Sequence, residues 1–322
     1  MKLQTREIGV AGAIVIFSAV LALAAPGFFS RANLIDLFLS SVPVLIVALG
    51  MTLVILAGEI DISVGSVFAI ASVFAGVTAK SGLPGIAAAF AGCACGALLG
   101  LLNGTMVAYI RIPSIVATLA AMIALRNGLL WLTQGAWIEN LPASFQWLGW
   151  SQSAYPVAML ATATVLSASL AWILRNLRIG RNVYATGSNE EASRLAGIRT
   201  RAVKLWTFTT LGALTGLAAA LNSARFNQIP SNTGNGLELK VIAAVVVGGA
   251  AVTGGSGSVG GTILGVILLG MIGPALTFLG ASAYWERAIQ GAIILVAIAM
   301  GAIGAFRKRS KFGERFGATQ PS

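Results

Sequence analysis

No histidine occurs in this chain, and only two cysteines do, Cys93 and Cys95. A zinc site built on imidazole therefore has no ligands to draw on. Two residues apart on a helix, the cysteines point in different directions, which excludes a disulfide or a metal pair between them. Their expected role is that of small residues packed between helices. Charge is scarce as well: Asp, Glu, Lys and Arg make up 10% of the 322 residues, against about 25% in ordinary soluble domains. No G-x-x-x-x-G-K-[ST] phosphate loop is present, so any ATP that drives this protein is bound by another chain. No Ser, Cys or Lys sits in a recognisable nucleophile motif, and an intramembrane enzyme is the weaker class of reading.

Apolar sequence is what the chain has in quantity. Hydrophobic residues make up 57% of it, and the mean hydropathy is +0.87. This is the composition of an all-α polytopic membrane protein, because a helix satisfies its own backbone inside lipid. The formal net charge of +11 calls for no nucleic acid. The basic residues lie mostly in loops between apolar runs and in the C-terminal tail, where Lys and Arg mark the cytoplasmic side.

About ten spans follow from the apolar runs, forming a single transmembrane domain over 1–322. Ile8 to Ala25, after Lys2 and Arg6, reads as a signal anchor, although Ala22-Leu23-Ala24 also resembles a cleavage site. Pro26 to Leu39 mixes Phe28, Phe29, Arg31, Asp36 and Phe38, as an outer interfacial segment would. Val42 to Ala57 is shorter than the ~20 residues of a normal span. Further runs cover Val67 to Ala79, Pro84 to Gly104, Pro113 to Thr133 and Ala154 to Leu174. The stretch Gln134 to Ser153 holds Trp137, Trp147 and Trp150 and no basic residue, and reads as an outer loop. Leu205 to Leu221, Val241 to Val252, Thr262 to Leu279 and Glu286 to Phe306 complete the set, with a polar external segment from Asn222 to Lys240. The tail, 307–322, opens with Arg307-Lys308-Arg309, so both termini are expected in the cytoplasm.

One long polar loop, 175–204, stands apart. Seven of its thirty residues are Lys or Arg, and only Glu190 and Glu191 are acidic. Ser188-Asn189-Glu190-Glu191 fits the capping box S-x-x-E: the Ser188 hydroxyl is expected to accept from the Glu191 amide, and the Glu191 carboxylate to reach back. Ala192, Leu195 and Ala196 fall on one face of the helix that follows. Gly197 is placed to stop it in a left-handed conformation, with Ile198 beyond. Such a helix is either a knob for a partner's socket or a capped turn on the membrane surface.

Two short apolar runs meet at Gly58-Glu59-Ile60-Asp61-Ile62-Ser63-Val64-Gly65-Ser66. That pattern reads as a broken helix or tight intramembrane turn, which must be buried in protein or line a water-filled path. A charge at mid-membrane costs at least about 2.5 kcal/mol. Glu59 and Asp61 therefore line a path, pair with a base such as Arg126, or cap a helix near an aqueous surface. Gly254-Gly255-Ser256-Gly257-Ser258-Val259-Gly260-Gly261 interrupts a second pair of runs, and Ser258-Val259-Gly260 echoes Ser63-Val64-Gly65. Paired glycine breaks of this kind point to a translocation path. Gly58, Glu59, Asp61, Ser63, Gly65, Gly254, Gly255, Gly257 and Gly260 are the candidates for it. Gly261 and Gly265 add a GxxxG pair.

GEIDISVGS at 58–66, GRNVYATGSNEEASRLAGI at 180–198 and VVVGGAAVTGGSGSVGGTILG at 245–265 together resemble the permeases of ribose-type sugar ABC importers. Their superfamily also holds the branched-chain amino acid permeases. The resemblance covers nearly the whole chain. It implies a second permease copy or a sister permease, a pair of cytoplasmic ATPase subunits that use ATP and Mg, and a periplasmic sugar-binding protein. No cofactor is implied on this chain itself, which would sit in the bacterial inner membrane. The loop helix is similar to the E-A-A-x-x-x-G coupling helix, here Glu191-Ala192-Ser193-Arg194-Leu195-Ala196-Gly197, with Ser193 departing from the second Ala. The resemblance places ATPase coupling on Ser188, Glu190, Glu191, Ala192, Arg194, Leu195 and Gly197. In the family the position of Glu59 is often glycine, which loosens any sugar assignment carried over. A monosaccharide or small polyol is the expected cargo. Branched-chain amino acids as cargo, and a stand-alone proton- or sodium-coupled transporter, remain alternatives.

Overall fold

A computed structural model of the chain describes residues 5–282, 284–293 and 295. Its helices are α1 (Thr5–Ala24), α2 (Arg31–Leu56), α3 (Val64–Lys80), α4 (Gly85–Ala108), α5 (Ser114–Thr133), α6 (Tyr155–Asn176), α7 (Arg178–Ser188), α8 (Glu190–Leu195), α9 (Thr200–Ser223), α10 (Leu237–Val247) and α11 (Val259–Phe278). A further helix runs over 285–293. Among the described residues the one β feature is an isolated antiparallel bridge between Ile138 and Ile229. Six helices, α1, α2, α4, α5, α6 and α11, are long and apolar enough to cross a membrane, and α3 is a shorter apolar helix. The basic tail and most of the last expected span lie outside the described residues.

The central post is α2. From Val42 to Leu56 nearly every side chain is buried, as expected for a helix that is apolar all round. It begins at Arg31, so the expected interfacial segment and the short run at 42–57 are one 26-residue helix. Pro43 lies inside it, and Asn33 and Asp36 do not break it. Asp36 is exposed and reaches Arg225 at 3.6 Å. At the same end of the bundle Trp147 stacks edge-on against Tyr155, with ring centroids 5.2 Å apart.

Small residues set the closest helix contacts. Gly92, Gly96, Gly100 and Gly104 recur every fourth residue on α4 and lie against Leu205, Phe208, Gly212 and Gly216 of α9. A side chain at Gly96 or Gly100 would run into the α9 backbone. Dispersion gained by close backbone approach is what associates helices in lipid, where apolar burial gains nothing. The GxxxG pair works in the same way: Gly261 and Gly265 of α11 seat on Gly248 and Ala244 of α10. Cys93 and Cys95 are half-buried and form no disulfide.

Two expectations about the polar segments need correction. The loop 175–204 is not a single capped helix between spans but two helices, since α7 fills 178–188 ahead of α8. The segment 222–240 is not wholly an external loop: α10 starts within it, with Glu238 in its first turn.

Candidate functional site

Two polar centres lie at different places in the bundle. The first is a glycine junction. α2 ends at Gly58, whose φ of +84° gives the left-handed turn that glycine makes without strain. Gly187 of α7 sits on the Leu56 carbonyl, and Gly254 sits on Gly58. Gly255 packs on Ser188 and donates its N–H to Leu56 O at 3.0 Å. Gly257 packs on Ala250, and its carbonyl accepts from the Tyr184 hydroxyl at 2.9 Å. Both glycine breaks therefore meet the end of α7 at one point.

The irregular backbone from 58 to 63 is satisfied from neighbouring helices, as burial demands. Ile60 N–H donates to Ser114 Oγ at 3.3 Å, and Ile62 N–H to Thr118 Oγ1 at 3.1 Å. Asp61 is buried; its Oδ1 accepts from the Ser63 amide at 2.7 Å and the Ser63 hydroxyl at 2.6 Å. Asn103 Nδ2 donates to Asp61 Oδ2 at 3.3 Å and to Ser63 Oγ at 2.7 Å. Asp61 thus anchors Ser63, the residue at which α3 begins. Ser258 caps α11 with its own hydroxyl, which accepts from Gly261 N–H at 2.9 Å. It also donates to Glu7 of α1. The two echoing motifs thus share a position at a helix start, but Ser258 caps its helix with its side chain and Ser63 does not. Gly260 is open apart from Glu7 and Ser258 at 4.0 Å.

Glu59 does not pair with Arg126. Its partner is Lys204, the fifth residue of α9, at 2.6 Å. Lys204 also reaches Glu190 of α8 at 2.8 Å, and Thr200 donates to the same carboxylate at 3.2 Å. One ammonium thus fastens α8 to the broken segment. The Lys204 and Glu59 side chains are each 13% exposed, and Glu190 is 41% exposed. Partial burial alone would raise the Glu190 carboxyl, but the hydrogen bond and charge of Lys204, with Thr200 and Arg194, hold it below the usual carboxylate value. Lys204 was not legible as a link because Glu59 lies in a distant segment, and Glu190, though in the same loop, is fourteen residues away, outside the i,i+3 and i,i+4 spacing of local pairs.

α8 is capped one residue later than the S-x-x-E pattern places it. Asn189 Oδ1 accepts from the Ala192 amide at 2.9 Å, while Ser188 is the last residue of α7. Gly197 stops the helix as expected, at φ +82°. Its N–H donates to Arg194 O and that of Ile198 to Ser193 O, both at 3.0 Å, the bonding of a Schellman motif. The buried face is not the apolar one: Ser193 faces the bundle, and Leu195 is 87% exposed. Glu191, Ala192, Arg194 and Gly197 are exposed too.

The second centre is a cavity of about 300 Å³ bordered by Ser40, Asn222, Asn235, Lys240, Glu286 and Gln290. Lys240 pairs with Glu286 at 3.0 Å, and Gln290 donates to Glu286 at 2.9 Å. Behind the 234–238 turn, Arg126 Nη1 donates to Asn235 Oδ1 at 2.8 Å. Arg126 Nη2 faces Glu238 Oε2 at 3.8 Å. These atoms rest on Gly65, where any side chain would meet the Glu238 carboxylate. Of this group the sequence singled out only Gly65 and Arg126. Apart from Ser40 of α2, the rest fell in a segment that reads as an outer loop and at the start of the last span.

A model of the family described as "Branched-chain amino acid transport system / permease component" matches residues 33–298. The chain belongs to that permease family. The autoinducer 2 import system permease protein LsrC of Yersinia pseudotuberculosis (serotype IB, strain PB1/+) is 37% identical over 285 residues, covering 88% of this chain and 81% of its own. LsrC of Yersinia pestis (strain Pestoides F) is 36% identical over the same shares. No solved structure matches.

Proposed function

We propose that this permease is the membrane subunit of an ATP-driven importer in the bacterial inner membrane, and that α8 is its coupling helix. The cargo is a monosaccharide or related small polyol, in keeping with relatives named for autoinducer 2 import. A periplasmic binding protein delivers it, and a second permease copy or sister permease completes the pore. The reading keeps the ten crossings expected from the apolar runs of the sequence, of which six are helices long and apolar enough to span a membrane. An even number puts both termini on the side of α7 and α8, the cytoplasm. ATP and Mg are used by the partner ATPase, and the role of this chain is transport.

One observation carries the reading. α8 leaves Leu195 uncovered while its Glu190 is held, through Lys204, to Glu59 in the break between α2 and α3. A partner that seats on Leu195, Glu191, Ala192 and Arg194 and then shifts α8 would pull on that break. It would also pull on the Gly187–Gly254 contact beside it. Ser188 and Gly255 lie at that contact and would carry the motion to α11.

Affinity purification from native membranes, followed by mass spectrometry, tests this. Wild-type protein is expected to bring down a P-loop ATPase, and Leu195→Asp to reduce its recovery at least five-fold while the permease still inserts. Unchanged recovery would overturn the assignment of α8. Active uptake by a protein that never recovers an ATPase would overturn the ATP-driven reading.

A further inference from the structure

A cavity of about 770 Å³ opens between α6, α7 and the first turns of α9, a volume in the range of small-molecule sites, roughly 300–1,000 Å³. Its mouth is open: Arg178, Ile179, Arg199 and Trp206 border it, and all four are exposed. Its depth is apolar, formed by Leu53 of α2, Leu170, Ile173 and Leu174 of α6 and Val203 of α9. Thr210, ten residues beyond the start of α9, also borders it. The cavity therefore runs about 15 Å along that helix, at 1.5 Å per residue. Charge is confined to one end, where α7 and α9 begin. Among the described residues no acid borders the cavity, and neither Arg178 nor Arg199 forms a salt bridge. A cation at a helix start opposes the helix dipole, so neither arginine is explained by the helix it begins. The bias of Lys and Arg toward cytoplasmic loops accounts for their presence in the loop, but not for their meeting at the mouth of an apolar cavity.

We propose that this cavity binds one anionic phospholipid of the cytoplasmic leaflet, with the phosphate at Arg178 and Arg199 and an acyl chain laid along Leu170, Leu53 and Thr210. The planar guanidinium fork matches phosphate oxygens, and basic pockets between spans on the cytoplasmic side suit anionic headgroups. Trp206, 65% exposed, stands at the mouth, as an indole does at the headgroup level. The order of the groups is that of a phospholipid, charge outermost and hydrocarbon below. A zwitterionic lipid brings a cation of its own to the two arginines, and a soluble phosphate leaves the apolar depth unfilled. Ala196 and Gly197, at the end of α8, border the same cavity, so a bound lipid braces the coupling helix against α6. The choice of leaflet rests on the transport reading above.

The test offers phosphatidylglycerol, phosphatidylethanolamine or glycerol phosphate to the delipidated full-length permease in mild detergent, and native mass spectrometry counts what stays bound. Wild type should retain phosphatidylglycerol at least about five-fold over phosphatidylethanolamine, and no glycerol phosphate. Arg178→Gln combined with Arg199→Gln should abolish that preference. Arg175→Gln combined with Arg201→Gln should keep it, since these arginines of the same loop are exposed and do not border the cavity. Thr210→Phe fills the deep end and should also lower retention, with monodispersity showing that each variant folds. Equal losses from the two arginine pairs would show a diffuse surface charge and overturn the site. Full retention by Thr210→Phe, or retention of glycerol phosphate by wild type, would overturn the acyl-chain placement. Lipid held by the lone permease but absent from the importer assembled with its ATPase would give the cavity to that partner and overturn the proposal. Sidedness is read separately, from labelling of Leu195→Cys by a membrane-impermeant maleimide in right-side-out and inverted vesicles. Labelling from the outer side alone would overturn the cytoplasmic placement, while the lipid count still decides the site.

Discussion

Lys204 and Arg126 are both cations held between segments from distant parts of the chain, and they are seated in opposite ways. Lys204 touches two carboxylates, at 2.6 and 2.8 Å. Arg126 stands 3.8 Å from its acid, with atoms on both sides unpaired. Their surroundings differ in the same sense. Around Lys204 the Gly58, Gly187, Gly254 and Gly255 backbones are in direct contact; near Arg126 lies a cavity of about 300 Å³. A closed connection with no slack passes on a displacement. On the reading proposed above, the closed centre is the one that carries coupling.

The largest effect should come from filling the closed side. Gly187→Val places a branched side chain on the Leu56 carbonyl and the Gly255 amide. Overpacking of about 3 kcal/mol or more should remove most of the monodisperse peak in fluorescence-detected size-exclusion chromatography. Gly128→Ala on the exposed side of α5, where nothing lies within 4 Å, should leave the peak unchanged. Glu59→Gly should be milder. It cuts the contact through which Lys204 reaches the break and leaves Glu190 in place, so uptake should fall by about ten-fold in a transport assay, without loss of folded protein.

The smallest effect is a pH dependence. Lys204 holds the Glu190 carboxyl below its ordinary value once burial is offset. A carboxyl lowered in the folded state stabilises it above the ordinary carboxylate range, and that stabilisation is lost as pH falls through the lowered value. The melting-temperature difference between wild type and Glu190→Gln should therefore be flat from neutrality to about pH 5 and shrink below it. A difference that grows on acidification would contradict the Lys204 contact.

Much of this was legible in the sequence. Composition alone sufficed for the helical class, and glycine punctuation marked the breaks at 58–66 and 254–261 and the stop at Gly197. Those features are local, set by backbone freedom and hydropathy. The errors arose where tertiary contacts decide. α7 contains Gly180, Asn182, Val183, Thr186 and Gly187, all poor helix formers, and it forms because Val183 and Thr186 are buried and Gly187 fits Leu56. The same contact keeps Ser188 in α7 and hands the cap to Asn189, although S-x-x-E reads better by eye. α2 runs through Pro43 because its burial outweighs the break. The ion pairs Glu59–Lys204 and Arg126–Glu238 join residues far apart in the chain, and no local pattern reports them.

The central claim, that Lys204 links the ATPase-facing helix to the transport path, is tested most directly by the ratio of solute imported to ATP hydrolysed. Lys204→Met and wild type should be compared in the same proteoliposomes. Methionine keeps the length of the side chain and removes the charge that joins Glu190 to Glu59. The account predicts hydrolysis within about two-fold of wild type and at least a ten-fold fall in solute moved per ATP, a loss of about 1.4 kcal/mol or more in coupling. An unchanged ratio would contradict it.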